Sequence, residues 1–281
     1  GTGSLSMLAR NWRDLIRPKG IAVDTESSTA FYAKFTDTLR PTKPGGRLLD
    51  LGCGVGQVVA TLTREGFEAH GVDVAAPNIE RTRSFTDRCL LYDGGHLPYP
   101  DNHFDTVGAL NVVEHVEDPE DFIREAVRVC RPGGRIVLSS PNFLRFLGFR
   151  DYHPRMRGIG NKWRNLHALL DRRRRMRTEP GQVRFERMTP IIKEPFTPDD
   201  DAIVCTNSLD IAFFLRRNGT TIERIECTDR YVPAPLQWLA EIAHALWGDE
   251  EGLAELDASL PTESVVLRDL NLKVAQRLNT L

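Results

Sequence analysis

The stretch that most constrains the fold is residues 48–57, Leu-Leu-Asp-Leu-Gly-Cys-Gly-Val-Gly-Gln. Its apolar start predicts a buried strand over 47–51, and the helical spacing of the apolar residues after it predicts a helix opening near Gln57. Three glycines stand between strand and helix, at positions 52, 54 and 56. Glycine permits positive φ and lets a ligand approach the backbone closely. Strand, glycine turn and helix in this order predict the first βα unit of a nucleotide-binding sheet.

The residues around this turn discriminate between classes of nucleotide. A dinucleotide fingerprint, G-x-G-x-x-G/A, requires Gly or Ala at a position where this chain has Gln57. Asp50 is predicted to lie at the mouth of the strand, where a dehydrogenase binds its pyrophosphate. A carboxylate there repels a diphosphate and attracts a cation. S-adenosylmethionine carries an ammonium and a sulfonium group and no phosphate, so the turn favours that ligand.

The segment Leu-Asp-Leu-Gly-Cys-Gly-Val-Gly resembles motif I of the class I S-adenosylmethionine-dependent methyltransferases. The alternative is a glycine turn with an incidental Asp50. The resemblance implies an α/β, Rossmann-like fold whose seven-stranded, mostly parallel sheet has one antiparallel strand, helices on both faces and a helical lid inserted after strand five. It also implies that the cofactor S-adenosylmethionine, with S-adenosylhomocysteine as its product, binds at five residues of this segment: Asp50, Gly52, Cys53, Gly54 and Gln57.

A second carboxylate follows at a characteristic distance. Asp73 lies in the predicted second strand, 68–74, and is 21 residues beyond Gly52. This spacing suits a carboxylate that binds both ribose hydroxyls, and it serves dehydrogenases equally, so it indicates a nucleoside and not a methyl donor. The resemblance implies that Val74 flanks the adenine ring. The alternative is that Asp73 caps the turn before Pro77.

Residues 93–105, Asp-Gly-Gly-His-Leu-Pro-Tyr-Pro-Asp-Asn-His-Phe-Asp, resemble the family's D-A-x-x-L-P-F-P-D-N-S-F-D segment. This match is more specific than any glycine motif. It implies that Asp93 accepts a hydrogen bond from the adenine amine, which is a pure donor. Gly94 occupies a position where the family usually has a small residue, and its amide is expected to face the ring. His96 and His103 are interpreted as surface residues.

The predicted fourth strand, 104–110, leads into the acceptor side of the site. Ligands of parallel sheets bind beyond the carboxyl ends of the strands, so residues 111–115 are expected to face methyl transfer. Asn111 is a predicted cofactor contact. His115 is the candidate general base, because its unperturbed pKa is about 6.5. Glu114 is predicted either to orient His115 or to bind the donor's ammonium, and the alternative for His115 is a structural role at a strand end.

The chain outside these motifs divides by composition. We predict an N-terminal helical segment (7–45), the cofactor-binding core (46–142), a basic lid (143–204) and a C-terminal part (205–281) that completes the sheet and carries a helical insertion at about 231–262. Between Arg145 and Arg187 there are 13 Lys/Arg against 4 Asp/Glu, with interleaved aromatics and four consecutive arginines at 172–175. A basic, aromatic lid suits an anionic or glycan-like acceptor. The alternative is a solvated helical face with aromatic anchors.

Composition limits the remaining possibilities. The net charge of −2 gives no global field that would favour nucleic acid. Five scattered cysteines without a C-x-x-C pair indicate reduced thiols in a cytoplasmic protein and suggest no metal site. No apolar run approaches the ~20 residues that span a bilayer, and no signal peptide is recognised.

Together these features predict a bacterial methyltransferase acting on a small-molecule or glycan-type acceptor, in a secondary-metabolite or surface-polysaccharide pathway. In-line transfer from a sulfonium depends mainly on positioning, so no catalytic triad is expected. Three alternatives stay open: an RNA or protein methyltransferase that uses the arginine-rich insertion, a non-catalytic subunit that binds S-adenosylmethionine, and an enzyme whose basic lid makes peripheral contact with a membrane. The sequence leaves the methylated atom and the oligomeric state undetermined.

Overall fold

The computed structural model describes residues 25–146, 153–191, 199–227 and 269–275 of the 281-residue chain. The chain divides into two compact units between Lys34 and Phe35. The first helix, α1 (Thr25–Leu39), spans this division, and every strand lies in the second unit. The predicted helical insertion at about 231–262 lies outside the described residues.

The described strands form one sheet. In chain order they are β1 (Arg47–Leu51), β2 (Glu68–Asp73), β3 (Cys89–Leu91), β4 (Phe104–Leu110), β5 (Cys130–Pro141), β6 (Arg224–Cys227) and β7 (Asp269–Ala275). Their spatial order is β3-β2-β1-β4-β5-β7-β6. Strands β1 to β5 are parallel, and β7 runs antiparallel to both β5 and β6. The strand order reverses between β1 and β4, which is the position where open α/β sheets bind ligands.

Helices connect the parallel strands, as the prediction of a Rossmann-like α/β fold requires. They are α2 (Gln57–Arg64), α3 (Ala76–Thr82) and α4 (Pro119–Val129) in the parallel half, then α5 (Ile159–Thr178) and α6 (Ser208–Arg217). Side chains cap two of them: Asp118 accepts a hydrogen bond from the Asp121 amide at 3.0 Å, and Asn207 accepts one from the Asp210 amide at 2.9 Å. Such caps satisfy amides that have no acceptor within the helix.

Hydrophobic cores lie on both faces of the sheet. Successive side chains of a strand point to opposite faces, so Ile136 and Leu138 of β5 join one core while Val137 joins the other. Helices α4 and α6 cover the first core, and α2 and α3 cover the second together with Phe35 and Leu39 of α1. Burial on both faces explains why the strands read as nearly continuous apolar runs.

The residue pattern predicts a helix over 76–88 and strands over 135–140 and 220–227, and one boundary of each differs in the structure. Helix α3 ends at Thr82 instead of residue 88, because the Thr82 carbonyl accepts from the amides of both Phe85 and Thr86 in a tight turn. Strand β6 begins at Arg224 instead of residue 220, since the Thr220 amide donates to the Leu215 carbonyl at the end of α6. Strand β5 begins five residues early, at Cys130, and pairs there with β4 across an irregular register. Among the described helices, none is long and apolar enough to cross a bilayer.

Two glycines give a matched test of the packing. A Cβ at Gly134 would lie 2.8 Å from the Arg131 carbonyl oxygen and 2.9 Å from that of Asp105, whereas a Cβ at Gly160 in α5 meets nothing within 4 Å. We expect Gly134→Ala to lower the free energy of unfolding by about 1–3 kcal/mol through overpacking. Gly160→Ala should raise it by about 0.5–1 kcal/mol through helix propensity. Urea unfolding measures both, and equal effects of the two substitutions would contradict this packing.

Candidate active site

The glycine turn after β1 needs glycine for two different reasons. Gly52, Gly54 and Gly56 have φ values of 73°, 55° and 77°, all in the left-handed region. A Cβ at Gly52 would lie only 2.4 Å from Cγ2 of Val112, so a close approach between the turn and the end of β4 excludes any side chain there. A Cβ at Gly54 would meet nothing within 4 Å. The turn is therefore open at Gly54, where a ligand can approach the backbone.

Backbone hydrogen bonds fix this turn against β2. The amides of Gly52 and Cys53 both donate to the Val72 carbonyl, at 2.8 and 3.0 Å. Helix α2 then begins at the exposed Gln57, and its N-terminus has no side-chain cap. Because the first amides of a helix have no acceptor within it, they are available to a polar group of a ligand.

Asp73, at the end of β2, supports the turn directly. Its Oδ2 accepts a hydrogen bond from the Gly54 amide at 2.8 Å. Its Oδ1 accepts from the Ala75 amide at 2.8 Å and from Nδ2 of Asn78 at 3.2 Å. The capping role considered for Asp73 is thus present. An ionised carboxylate accepts about four hydrogen bonds, so a ribose contact stays compatible with these partners.

Asp50 is buried beneath the turn instead of standing open at its mouth. Only 3% of the residue is exposed. Burial raises the pKa of its carboxyl group well above the usual value, and the nearby acids Cys89 and Asp73 raise it further. A negative charge at this position is therefore costly unless a positive charge approaches it. The predicted position of Asp50 at the open mouth of the strand is therefore wrong, because the carboxyl group is buried beneath the turn; its attraction for a cationic ligand stays a prediction.

The predicted adenine contacts lie together at the ends of β2 and β3. Val74 is 43% exposed, and a Cβ built on Gly94 would lie 4.0 Å from its Cγ1. Asp93 is also exposed, and its Oδ1 accepts a hydrogen bond from the Gly95 amide at 2.9 Å. An exposed apolar side chain beside a glycine leaves room for a planar ring, with a carboxylate close by.

Cys53 is placed differently from the other turn residues. Its Sγ packs under the turn, 2.7 Å from where a Cβ of Gly71 would be. The thiol is buried, and a hydrogen bond with the Cys89 thiol, followed by burial, raises its pKa. The Cys53 carbonyl accepts from the Gly56 amide at 2.9 Å. The side chain of Cys53 thus packs into the core and does not join the row of exposed turn residues.

The segment after β4 continues the same edge of the sheet. Asn111 has a positive φ of 52°, unusual for a residue with a side chain, and its amide donates to the Ser139 carbonyl at 2.9 Å. Four residues later, Nε2 of His115 lies 3.8 Å from Oε1 of Glu114. Glu114 itself is fully buried, and its Oε2 accepts a hydrogen bond from Oγ of Ser140 at 3.2 Å.

The sequence analysis missed two contributions to this region. Asn78 braces the Asp73 carboxylate, and Asp201, at the end of the insertion, brings its Oδ1 within 3.7 Å of Nδ1 of His115. The three consecutive aspartates at 199–201 were a visible signal, since such a run after Pro198 is unusual. Their proximity to His115 depends on long-range folding, because the amides of Ile203 and Val204 both donate to the Glu114 carbonyl, at 2.9 and 3.0 Å.

Comparison with known proteins agrees with this geometry. Residues 49–138 match the family described as "Methyltransferase domain". Residues 49–138 therefore form a methyltransferase domain. It is 37% identical over 129 residues to the 27-O-demethylrifamycin SV methyltransferase of Amycolatopsis mediterranei (strain S699), covering 41% of this chain and 47% of that protein. It is 34% identical over 110 residues to the norajmaline N-methyltransferase of Rauvolfia serpentina, covering 36% of this chain and 37% of that protein.

The methyltransferase domain also has solved structural relatives. An S-adenosylmethionine-dependent methyltransferase from Mesorhizobium loti superposes with a TM-score of 0.52 at 17% identity, over 88% of this chain and 98% of that one. This likeness supports the fold. The matched region spans less than half the length of the two curated relatives above.

The residues of the methyltransferase domain fit its cofactor, S-adenosylmethionine. The turn is open at Gly54, an exposed Val74 lies beside Gly94, and the Asp73 carboxylate stands between them with accepting capacity left. Beneath these residues the buried Asp50 is complementary to a ligand that carries positive charge. A diphosphate has no such complement here.

The buried carboxyl of Asp50 predicts a specific pH dependence of stability. Because folding raises its pKa, its contribution to stability is complete below the unfolded pKa, about 3.9, and is lost as the pH rises through the folded pKa. Wild type should therefore lose stability relative to Asp50→Asn over that window, by about 1.4 kcal/mol for each unit of pKa shift. Urea unfolding between pH 4 and 8 measures the difference. Asp87→Asn, at an exposed position, is the control, and parallel curves for wild type and Asp50→Asn would contradict the assignment.

Binding of the ribose by Asp73 can be separated from its support of the turn. If the carboxylate binds the ribose hydroxyls, Asp73→Ala should weaken S-adenosylhomocysteine binding by about 1.5–3 kcal/mol, the range for hydrogen bonds to a charged group. It should weaken binding of the 2′,3′-dideoxy analogue much less. Calorimetry with both ligands provides the test. Equal losses for the two ligands would show that Asp73 acts only through its bond to the Gly54 amide.

Proposed function

We propose that this protein is an enzyme that transfers a methyl group from S-adenosylmethionine to a small-molecule or glycan-type acceptor. One observation carries the proposal: the open turn at Gly54, the carboxylate of Asp73 and the exposed Val74 follow one another at the ends of β1 and β2. The carboxyl group of Asp50 is buried beneath them. The curated relatives named above are methyltransferases of a rifamycin and of an alkaloid. These names support a small-molecule acceptor of the secondary-metabolite kind.

The residues divide the work of binding the cofactor. In this proposal Gly52, Gly54 and Gln57 receive the methionine portion, Asp73 binds the ribose, Val74 and Gly94 flank the adenine, and Asp93 accepts from its amine. Asn111, at the end of β4, separates the cofactor from the acceptor. S-adenosylmethionine supplies the methyl group and a neutral thioether leaving group. Positioning of donor and acceptor supplies several kcal/mol of the barrier reduction.

We further propose that residues 143–204 form a lid over the acceptor and that β6 and β7 complete a seven-stranded sheet. The described parts of the insertion are attached to the core at several points. Nδ2 of Asn165 in α5 donates to the carbonyls of Phe143 and Arg145, at 3.3 and 2.9 Å. The Arg172 guanidinium pairs with the buried Asp210 of α6 at 2.6 Å. These contacts attach α5 to the segment that follows β5, which supports the proposed lid.

The arginine run of α5 bears on the choice between a small molecule and RNA. Arg172 pairs with Asp210, and Arg173 is buried, with 6% of its surface exposed. Only Arg174 and Arg175 are exposed, and Arg175 also pairs with Asp171 at 2.7 Å. A strand of RNA needs a continuous basic surface that tracks its backbone. The four arginines do not offer one, which favours the small-molecule acceptor.

A peripheral contact with a membrane is the second candidate function of the insertion. The location proposed for the protein is the cytoplasm, so the contact would be with the cytoplasmic face of the membrane. Ile159, Trp163 and Leu170 of α5 are 79%, 60% and 37% exposed, on a helix that also carries exposed arginines. Apolar and basic residues together favour an anionic lipid surface. Flotation with liposomes, with and without anionic lipid, tests this contact.

Transfer itself is tested with methyl-labelled S-adenosylmethionine and extracts of the source organism. We expect label in the low-molecular-weight fraction, in a product identified by mass. Asp73→Ala should lower the yield in proportion to its loss of cofactor affinity, and the exposed Asp87→Asn should leave the yield unchanged. Label that is sensitive to ribonuclease or protease would instead support an RNA or protein acceptor. Tight S-adenosylhomocysteine binding without any labelled product would support a non-catalytic binding subunit.

A further inference from the structure

An acid and histidine cluster lies at the acceptor end of the sheet. It contains one atom able to bind a metal from each of three residues, Glu114, His115 and Asp199. These atoms, two carboxylate oxygens and one ring nitrogen, all lie within 4.8 Å of one another. Glu114 and His115 belong to the 3-10 turn Val113–His115 after β4, and Asp199 comes from the far end of the insertion. The cofactor contacts proposed above lie on other residues.

The backbone holds the two halves of the cluster together. The Glu114 carbonyl accepts from the amides of both Ile203 and Val204, and the Ala202 amide donates to the Asp199 carbonyl at 3.1 Å. Ser140 of β5 donates its hydroxyl to Oε2 of Glu114, which orients that carboxylate. A site built on a strand end and fixed by neighbouring hydrogen bonds keeps its geometry better than one on a free loop.

The distances within the cluster match the separations of atoms that share one cation. Nε2 of His115 lies 3.8 Å from Oε1 of Glu114, and Nδ1 lies 3.7 Å from Oδ1 of Asp201. Both separations exceed hydrogen-bond length. Two ligand atoms that are each about 2.1 Å from one cation lie up to about 4.2 Å apart, which includes the 3.8 Å separation.

The surroundings of His115 match a metal-binding imidazole. Metal-bound histidines usually direct their second ring nitrogen toward a carboxylate or carbonyl, which fixes the ring and its tautomer. Asp201 is placed on the Nδ1 side of His115, opposite Glu114. Glu114 is fully buried, so it is not an incidental surface acid. Two carboxylates and a neutral imidazole carry a formal charge of −2, which complements a divalent cation.

We propose that Glu114, His115 and Asp199 bind a divalent cation on the acceptor side of the methyltransferase domain. Oxygen ligands with one imidazole suit Mg²⁺, Mn²⁺ or Zn²⁺. Three protein ligands leave positions on the cation open for an oxygen of the acceptor. If the proposed function holds, the acceptor therefore belongs to the class of molecules that carry a hydroxyl group. The cation site replaces the general-base role considered for His115 and departs from the sequence expectation that there is no metal site.

The reaction that follows needs no protein base. A hydroxyl bound to a divalent cation has a lowered pKa and loses its proton to solvent. Its oxygen forms a bond to the methyl carbon while the bond from that carbon to the sulfonium sulfur breaks. The products are a methyl ether, the neutral thioether of S-adenosylhomocysteine and one proton. The released proton carries the positive charge that the sulfonium loses.

Binding of Mn²⁺ to the 281-residue chain tests the site without donor or acceptor. The protein is treated with EDTA and desalted, and Mn²⁺ is then added. Electron paramagnetic resonance should show one equivalent of bound Mn²⁺, with nitrogen modulation from His115. Asp199→Asn and Glu114→Gln should each weaken binding about 10-fold or more, and His115→Gln should remove the nitrogen signal. Asp199 has a φ of 64°, which asparagine tolerates well, so Asp199→Asn should keep the fold.

Matched substitutions at exposed positions serve as controls, and Asp87→Asn and Glu80→Gln should bind Mn²⁺ like wild type. S-adenosylhomocysteine affinity, measured on every variant, reports folding and the cofactor site separately. Absence of bound Mn²⁺ in wild type, or unchanged binding in Asp199→Asn, would overturn the proposal and leave a structural acid cluster. Methyl transfer that persists after EDTA treatment would overturn the cation's role while sparing the proposed function. Bound Mn²⁺ without any methyl transfer would support the site and count against the function.

Discussion

The carboxylate of Asp73 is the contact on which the cofactor side of this structure depends. It accepts a hydrogen bond from the Gly54 amide and another from the Ala75 amide, so it joins the glycine turn after β1 to the chain that leaves β2. Backbone in the left-handed region would otherwise be free to relax, because glycine has many accessible conformations. In the proposed function the same group that shapes the turn also binds the ribose of the cofactor.

A second buried carboxylate shows why such a site costs stability. Asp50 lies below the turn at 3% exposure, where burial and two neighbouring acids oppose its ionisation. A core chosen for stability alone would place an apolar residue there, as it does at Leu49 and Leu51 on the same strand. A carboxyl group kept at such a position is typical of a functional site, since these sites commonly keep groups that the fold alone disfavours.

The cofactor half of the site could be predicted from the sequence because its parts are local. Strand ends, glycines and the Asp73 spacing all fall within short βα units, where order along the chain nearly fixes position in space. The acceptor half could not be predicted in this way. Asp199 and Asp201 reach His115 only because backbone bonds from Ile203 and Val204 fold the end of the insertion onto the turn after β4. Composition alone treats the four consecutive arginines of α5 as one basic surface. In the helix, however, Arg172 and Arg173 point inward, whereas Arg174 and Arg175 are exposed.

This difference between the two halves has a physical consequence for how such an enzyme would acquire a new acceptor. The cofactor side is built from backbone amides and from carboxylates that also hold the turn, so substitutions there disturb the fold. In the proposed arrangement, the acceptor side is built from side chains that the insertion presents to the strand ends. Its anchors, such as Arg172 with Asp210, involve other residues than the cluster at Glu114. The insertion can therefore change its inward-facing residues while keeping its attachment.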